Sequence, residues 1–211
     1  MPTDTVIVIL AAGRGSRFGG PRHKLAQDLG ETSVLGRTIA HAIASRLPVV
    51  VVTTEPLAAD AWRWVARRDV VVLPEVGAAA SPTQAALPLG MGYSIAAGVS
   101  ARPDANGWLV LPGDMPLVQP STLRTVAEAL AAHPVVYAQH GGRRGHPVGF
   151  AAELFSDLVR LSGDEGARRV MARYPSAGIE VDDAGVLMDV DTEADLAAVR
   201  QRAAPALRHT G

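Results

Sequence analysis

The chain contains no cysteine among its 211 residues. This absence excludes disulfide bonds, thiolate metal sites and cysteine nucleophiles. No apolar run approaches the roughly 18 residues that a membrane-spanning helix needs, and the first residues lack the basic segment of a secretory signal. The formal net charge of -1 would not steer the protein to nucleic acid or to a charged membrane surface. We therefore expect a soluble, cytoplasmic protein with neither kind of partner.

Lysine is almost as scarce as cysteine. The chain has 20 Lys and Arg residues, and Lys24 is the only lysine among them. An ammonium group is compact, whereas a guanidinium group is broad and planar, so the two fit different sites. Since Lys24 lies in a glycine-rich basic segment, we interpret it as a functional residue that contacts a phosphate. The alternative is an ordinary surface cation.

The segment that carries Lys24 reads VIVILAAGRGSRFGGPRHK and begins at Val6. Its five apolar residues from Val6 to Leu10 predict a parallel strand that is buried on both faces. Four glycines follow, at positions 13, 15, 19 and 20, interspersed with basic residues. Glycines allow backbone N–H groups to approach an anion closely, and the cations neutralise its charge. The pattern predicts a phosphate-binding loop.

Two common phosphate-binding motifs do not match this loop. A dinucleotide fingerprint needs G-x-G-x-x-G, whereas Gly13, Gly15 and Gly19 form G-x-G-x-x-x-G. A P-loop needs Gly-Lys followed by Ser or Thr, whereas Gly20 is followed by Pro21. An NAD(P)-dependent oxidoreductase on a similar α/β fold is therefore disfavoured by the glycine spacing, although it remains an alternative.

The rest of the chain alternates between strand-like and helical patterns. Such alternation predicts a parallel sheet with right-handed crossovers. We expect one Rossmann-like α/β domain over residues 1–211, with a mostly parallel sheet, helices on both faces, and a frayed tail at 204–211. The predicted helices cover 32–45, 57–68, 120–132, 154–161 and a last helix opened by a Thr192–Asp195 capping box. The other predicted strands are 49–54, 70–73, 108–112, 135–138, 179–181 and 186–188.

The first loop also carries a family resemblance. Its pattern L-A-A-G-x-G-x-R-F-G-x(4)-K resembles the signature of the MobA-like nucleotidyltransferases, which join a nucleoside triphosphate to a phosphorylated acceptor. The segments GDMP at 113–116, GRRGHPVGF at 142–150 and GDEGAR at 163–168 are similar to others in this family. The combination is most like the molybdenum-cofactor cytidylyltransferases. Family members that use guanine nucleotides typically have the motif L-A-G-G, whereas this chain has L-A-A-G, as in the members that use pyrimidine nucleotides. The extra methyl group of Ala12 would crowd a purine.

The resemblance implies a set of nucleotide-binding and catalytic residues. Asp114 also follows the strand WLVLP, and a carboxylate at the carboxyl end of a parallel strand faces the ligand crevice of such sheets. Asp114 and Asp191 are expected to hold Mg²⁺, because magnesium prefers a few carboxylates together with substrate oxygens. The expected catalytic residues are Arg17, Lys24 and Asp114. The expected nucleotide-binding residues are Leu10, Ala11, Ala12, Gly13, Gly15, Arg17, Lys24, Ser94 and Gly98.

The acceptor side is likewise implied by the resemblance. The acceptor would be a phosphorylated molecule such as molybdopterin cofactor. The resemblance also implies a molybdoenzyme apoprotein as a further candidate partner. The expected acceptor-binding residues are Arg144, Gly145, His146, Pro147, Asp164 and Arg168. Structural readings stay open for His146 as a hydrogen-bonded histidine, for Gly98 as a site of close helix packing and for Ser94 as a cap. A partner that binds a cofactor without turnover is a further functional alternative.

Overall fold

A seven-stranded sheet organises the chain in the computed structural model, which describes residues 4–13, 15, 18–19, 22–74, 90–164 and 166–203. The strands are β1 (Val6–Ala11), β2 (Asp28–Leu29), β3 (Thr32–Ser33), β4 (Val49–Thr54), β5 (Val70–Leu73), β6 (Gly107–Pro112), β7 (Val135–His140), β8 (Arg143–Ala151) and β9 (Ser176–Glu180). The helices are α1 (Val34–Ala44), α2 (Glu55–Ala61), α3 (Met91–Ser100), α4 (Pro120–Ala129), α5 (Phe155–Leu158), α6 (Arg168–Arg173) and α7 (Glu193–Ala203).

The strand order of the main sheet is β5-β4-β1-β6-β8-β7-β9, and β2 pairs with β3 separately. β5, β4, β1 and β6 run parallel to one another, β8 is antiparallel to both β6 and β7, and β9 is parallel to β7. The carboxyl ends of β1, β4, β5 and β6 therefore lie at one edge of the sheet. The amino end of β8 reaches the same edge because β8 runs the other way.

Each face of the sheet is covered by its own apolar core. Ile7 and Ile9 of β1 face a core that includes α1, α2, α4 and α7, whereas Val6 and Val8 face a core that includes α3, α5 and α6. All four side chains are 3% exposed or less, as expected for a parallel strand covered on both sides. The predicted Rossmann-like α/β fold, mostly parallel and with helices on both faces, is confirmed.

Several element predictions agree with the structure in detail. The strands predicted at 49–54 and 70–73 coincide with β4 and β5. Ser33 caps α1, since its hydroxyl group accepts a hydrogen bond from the Gly36 N–H at 2.9 Å. Helix α7 begins with the predicted capping box, in which the Asp195 carboxylate accepts from the Thr192 N–H and the Thr192 hydroxyl group accepts from the Asp195 N–H.

Other predicted elements are shorter or different. The helix predicted to end at 68 stops at Ala61, after starting at Glu55 with a proline in its first turn. The helix predicted at 154–161 is reduced to a 3-10 turn followed by α5. The strand predicted at 186–188 is wrong, because residues 184–187 form a 3-10 turn. The Asp183 side chain caps that turn by accepting from the Gly185 N–H.

Two parts of the sequence predictions lie outside the described residues: Arg17 and the tail at 204–211. Among the residues that the structure does describe, no helix combines the length and apolar character that crossing a membrane requires.

Candidate active site

A cavity of about 1160 Å³ opens at the edge of the sheet where the parallel strands end. In open α/β sheets this edge is where ligands bind. Its volume is above the roughly 300–1000 Å³ of a typical small-molecule site. The strand order puts the loop after β1 and the end of β5 on one side of β6, and the amino end of β8 on the other.

The structure brings most of the predicted site residues into this one cavity. Its walls include the glycine loop, the turn with Lys24, the end of β6 and the start of β8. The predicted residues among the lining are Leu10, Ala12, Gly13, Gly15, Lys24, Ser94, Asp114, Arg144, Gly145, His146, Asp164 and Asp191.

In the wall of the cavity, the Lys24 ammonium group lies between two carboxylates. Its Nζ donates to Asp114 Oδ2 at 2.6 Å and to Asp191 Oδ1 at 2.7 Å. The three side chains are only 12%, 16% and 21% exposed, respectively. Lys24 thus occupies the space between the two carboxylates for which the sequence predicted a divalent ion.

Backbone hydrogen bonds hold the two carboxylates opposite each other. The Gly113 N–H donates to the Leu10 carbonyl at 2.8 Å, which ties the end of β6 to the end of β1. The Val190 N–H donates to the Asp114 carbonyl at 3.0 Å, which brings the segment with Asp191 alongside. The Asp195 carboxylate accepts from the Asp191 N–H at 3.2 Å, so the capping box of α7 also orients this residue.

The electrostatic surroundings keep Lys24 charged. Burial would lower the pKa of its ammonium group, but the charges and hydrogen bonds of Asp114 and Asp191 outweigh that effect. The pKa of Lys24 therefore lies above its ordinary value, and the side chain carries a full positive charge at neutral pH.

The donor set fits a small divalent cation. Besides the two oxygens bound to Lys24, Asp114 presents Oδ1, which is buried and has no hydrogen-bond partner among the described residues. Within those residues, no group of three or more His, Cys, Asp or Glu side chains is placed to hold a metal. Mg²⁺ suits such a site, because it is usually bound by one or two carboxylates while water and substrate phosphates complete its octahedron.

The side of the cavity formed by the start of β8 is basic. The Arg144 guanidinium carbon lies 4.5 Å from the centre of the Tyr137 ring, and Nη2 contacts the Met171 sulfur at 2.7 Å. These contacts hold the Arg144 side chain over the strand pair β7–β8. Burial lowers the pKa of His146, and the Arg144 charge acts in the same direction, against the opposing effects of Asp114 and Asp189. His146 is therefore neutral at pH 7.

Four predicted residues do not line the cavity: Ala11, Gly98, Pro147 and Arg168. For Gly98 the structure gives a packing reason. A Cβ atom there would collide with Val8 and lie 2.9 Å from Val52 Cγ2, so glycine lets α3 approach β1 and β4 closely. Ser94, one turn earlier, does line the cavity, with its hydroxyl group 3.4 Å from the Gly90 carbonyl. The cap of α3 is Gly90 rather than Ser94.

Among the polar residues of the cavity that sequence reasoning missed are His23 and Asp189. His23 directly precedes the sole lysine, and Asp189 is the first acid of the D-x-D run that ends at Asp191. Their positions beside predicted site residues were the available signal. Sequence reasoning also missed that Gly90 and Gly92 allow α3 to begin against the backbone of residues 162–164, where any Cβ would clash.

The doubly covered sheet, the glycine loop and the paired carboxylates define the class of nucleotide-binding transferases. Residues 7–178 match the MobA-like NTP transferase domain, so the chain belongs to the MobA-like NTP transferase family. It is 30% identical over 209 residues to purine catabolism protein PucB of Bacillus subtilis, with 92% of this chain and 95% of PucB covered.

Solved structures of similar proteins share this fold over nearly the whole chain. Rv0371c from Mycobacterium tuberculosis superposes with a TM-score of 0.77 at 29% identity, over 95% of this chain and 99% of that one. A complex of Rv0371c with manganese gives a TM-score of 0.74 at 27% identity, over 95% and 100% of the two chains. The family resemblance seen in the sequence is thereby confirmed.

Proposed function

We propose that the protein transfers a cytidylyl group from CTP to a phosphorylated acceptor, molybdopterin cofactor, and releases pyrophosphate. The observation that carries this proposal is the position of Lys24, Asp114 and Asp191. They contact one another in the wall of a cavity that is also lined by Gly13 and Gly15 of the glycine-rich loop and by the basic start of β8. Motifs similar to those of the molybdenum-cofactor members support the choice of acceptor.

In the proposed reaction an oxygen of the acceptor phosphate attacks the α-phosphorus of CTP. A new P–O bond forms there, the bond from the α-phosphorus to the α–β bridging oxygen breaks, and pyrophosphate leaves with that electron pair. The attacking phosphate is already anionic, so no strong base is needed. The work of the protein is to align and neutralise two polyanions that otherwise repel each other.

The residues of the cavity divide this work. Backbone N–H groups of the loop around Gly13 and Gly15 would hold the β- and γ-phosphates, and Lys24 would bind the α-phosphate. Asp114 and Asp191 would hold Mg²⁺, which supplies charge neutralisation at the phosphate oxygens. The manganese complex of Rv0371c supports a divalent ion in this family.

Arg144 and His146, at the start of β8, would face the acceptor. Arg144 is already positioned by Tyr137 and Met171, and its guanidinium group suits a phosphate. The proposed preference for CTP rests on Ala12, which lines the cavity.

The test is pyrophosphate release with Mg²⁺, molybdopterin cofactor and each of CTP, GTP, ATP and UTP. We expect the fastest release with CTP, and a loss on the order of 10²-fold in Asp114→Asn because the proposed Mg²⁺ loses a charged ligand and with it the stabilisation of the transition state. Full activity of Asp114→Asn, or full activity in excess chelator, would contradict the metal assignment.

The same preparation separates the alternatives. Nicotinamide oxidation with a quinone, without pyrophosphate release, would identify an oxidoreductase. A rise in melting temperature with MgCTP, without turnover, would identify a protein that only binds its ligand.

A further inference from the structure

The histidine before Lys24 connects Gly13 of the glycine-rich loop to the turn with Lys24, the two parts of the cavity proposed above to bind the triphosphate. His23 Nε2 lies 2.9 Å from the carbonyl oxygen of Gly13, ten positions earlier in the chain. On the other side of the same ring, Nδ1 accepts a hydrogen bond from the Leu25 N–H at 3.2 Å. One imidazole ring thus joins the glycine loop to the 3-10 turn Lys24–Ala26.

The two partners define the state of the ring. A carbonyl oxygen only accepts hydrogen bonds, so Nε2 must carry a proton and donate it. Because Nδ1 accepts from an N–H group, it must be unprotonated. The neutral Nε2–H tautomer therefore satisfies both contacts at once, whereas the opposite tautomer satisfies neither.

The surroundings of the ring are tightly fitted. Gly15 has a φ of +61°, which favours glycine, and a Cβ atom there would lie 3.2 Å from His23 Nε2 and 3.3 Å from Lys24 Cγ. Leu25, the residue after Lys24, is 3% exposed and anchors the turn in the core. Gly13 and Gly15 therefore both lie close to the His23 ring, while the turn that follows the ring is fixed to the core.

We propose that His23 is a positioning residue that sets the distance between the glycine loop and the Lys24 ammonium group. This inference rests on the proposed function, in which the loop holds the β- and γ-phosphates and Lys24 the α-phosphate. A single triphosphate must contact both parts simultaneously. With the Gly13–His23 hydrogen bond in place, the backbone at Gly13 is already fixed relative to Lys24 when the nucleotide arrives, and binding does not bear the cost of ordering it.

Two amide substitutions separate the two hydrogen bonds of His23. In His23→Asn the side-chain oxygen can still accept from the Leu25 N–H, as a good N-cap residue does, but the shorter side chain cannot reach the Gly13 carbonyl. In His23→Gln the amide NH₂ group can reach the position of Nε2 and donate to Gly13. The asparagine variant therefore keeps the cap and loses the contact to the loop, and the glutamine variant restores that contact.

The measurement is the dissociation constant of MgCTP and of MgGTP for each variant, together with its melting temperature. A net hydrogen bond of about 0.5–1.5 kcal/mol corresponds to roughly 2- to 13-fold in affinity. We expect His23→Asn to weaken binding of the preferred nucleotide within this range, His23→Gln to stay near the wild type, and the melting temperature to change little in either. The order Asn weaker than Gln is the decisive result.

A matched control is available at His41, whose Nδ1 makes a 2.9 Å contact with the Val118 carbonyl and which does not line the cavity. His41→Ala removes an equivalent side-chain-to-carbonyl hydrogen bond and should leave nucleotide affinity unchanged. His23→Ala should weaken it. Equal affinities of the asparagine and glutamine variants, or losses that simply follow melting temperature in all variants, would overturn the inference. If the wild type itself binds neither nucleotide, the proposed function fails instead.

Discussion

Replacing Lys24 by methionine tests the central geometry of the cavity. The ammonium nitrogen contacts Asp114 and Asp191 at 2.6 and 2.7 Å. Any ion held by the same two carboxylates must displace it, since two cations cannot share that space. Methionine keeps much of the length of the side chain and removes the charge. We therefore expect Lys24→Met to bind Mn²⁺ more tightly than the wild type when no nucleotide is present, although it removes a residue proposed to be catalytic.

The size of the effect follows from burial. Removing one partner of a fully buried ion pair costs about 3–5 kcal/mol, and exposed pairs contribute about 0–1 kcal/mol. With side chains 12–21% exposed, an intermediate value of about 1–3 kcal/mol is appropriate. Competition of that strength corresponds to roughly 5- to 150-fold in apparent metal affinity. Loss of the like charge acts in the same direction, because it removes repulsion between Lys24 and the ion.

Titration calorimetry or electron paramagnetic resonance with Mn²⁺ measures this affinity directly. A second measurement is the melting temperature of Lys24→Met. In chelator it should lie below that of the wild type, because the two carboxylates then face each other without the ammonium group, and it should recover with Mn²⁺. Arg22→Met is the matched control, because it also removes one positive charge. The Arg22 side chain is 64% exposed, and its 3.6 Å ion pair is with Asp28 rather than with Asp114 or Asp191. Unchanged or weaker Mn²⁺ binding by Lys24→Met would refute the reasoning.

Three further predictions address shape, base preference and packing. Lys24→Arg keeps the charge but replaces a compact ammonium group by a broad planar one. We therefore expect kcat to fall on the order of 10²-fold with a smaller change in nucleotide affinity, and the control Arg22→Lys to change both little. Equal, small effects of the two substitutions would make Lys24 an ordinary surface cation. Ala12→Gly should erode the preference for CTP over GTP, since one methyl group discriminates by roughly 10- to 200-fold, and a wild type that prefers GTP outright would contradict this. Gly98→Ala should lower the free energy of unfolding by about 1–3 kcal/mol, because the added methyl group overpacks against Val8 and Val52. Denaturant unfolding measures this change, and nucleotide affinity should stay the same. An unchanged or higher stability would show that α3 moves aside at little cost.

The sequence alone determined the elements that carry most of the site. The apolar run at Val6–Leu10, covered on both faces, predicts a buried strand, and the glycines after it predict a loop at that strand's carboxyl end. The same logic places Asp114 after the strand WLVLP. The Thr192–Asp195 capping box is local, so it too could be read directly. These predictions succeed because strand burial, turn glycines and helix caps depend on residues close together in the chain.

Only the tertiary structure decided which of these residues meet. Lys24 and Asp191 are 167 positions apart, and their contact depends on the Val190–Asp114 hydrogen bond, which no local pattern encodes. Ser94 and Gly98 share one face of α3, yet only Ser94, near the start of the helix, reaches the cavity, while Gly98 packs against β1 and β4. His23 looks like one more polar residue in the sequence. Its contact with both loop and turn arises only because the chain returns to Gly13 after ten residues, and returns of this kind are set by packing rather than by periodicity.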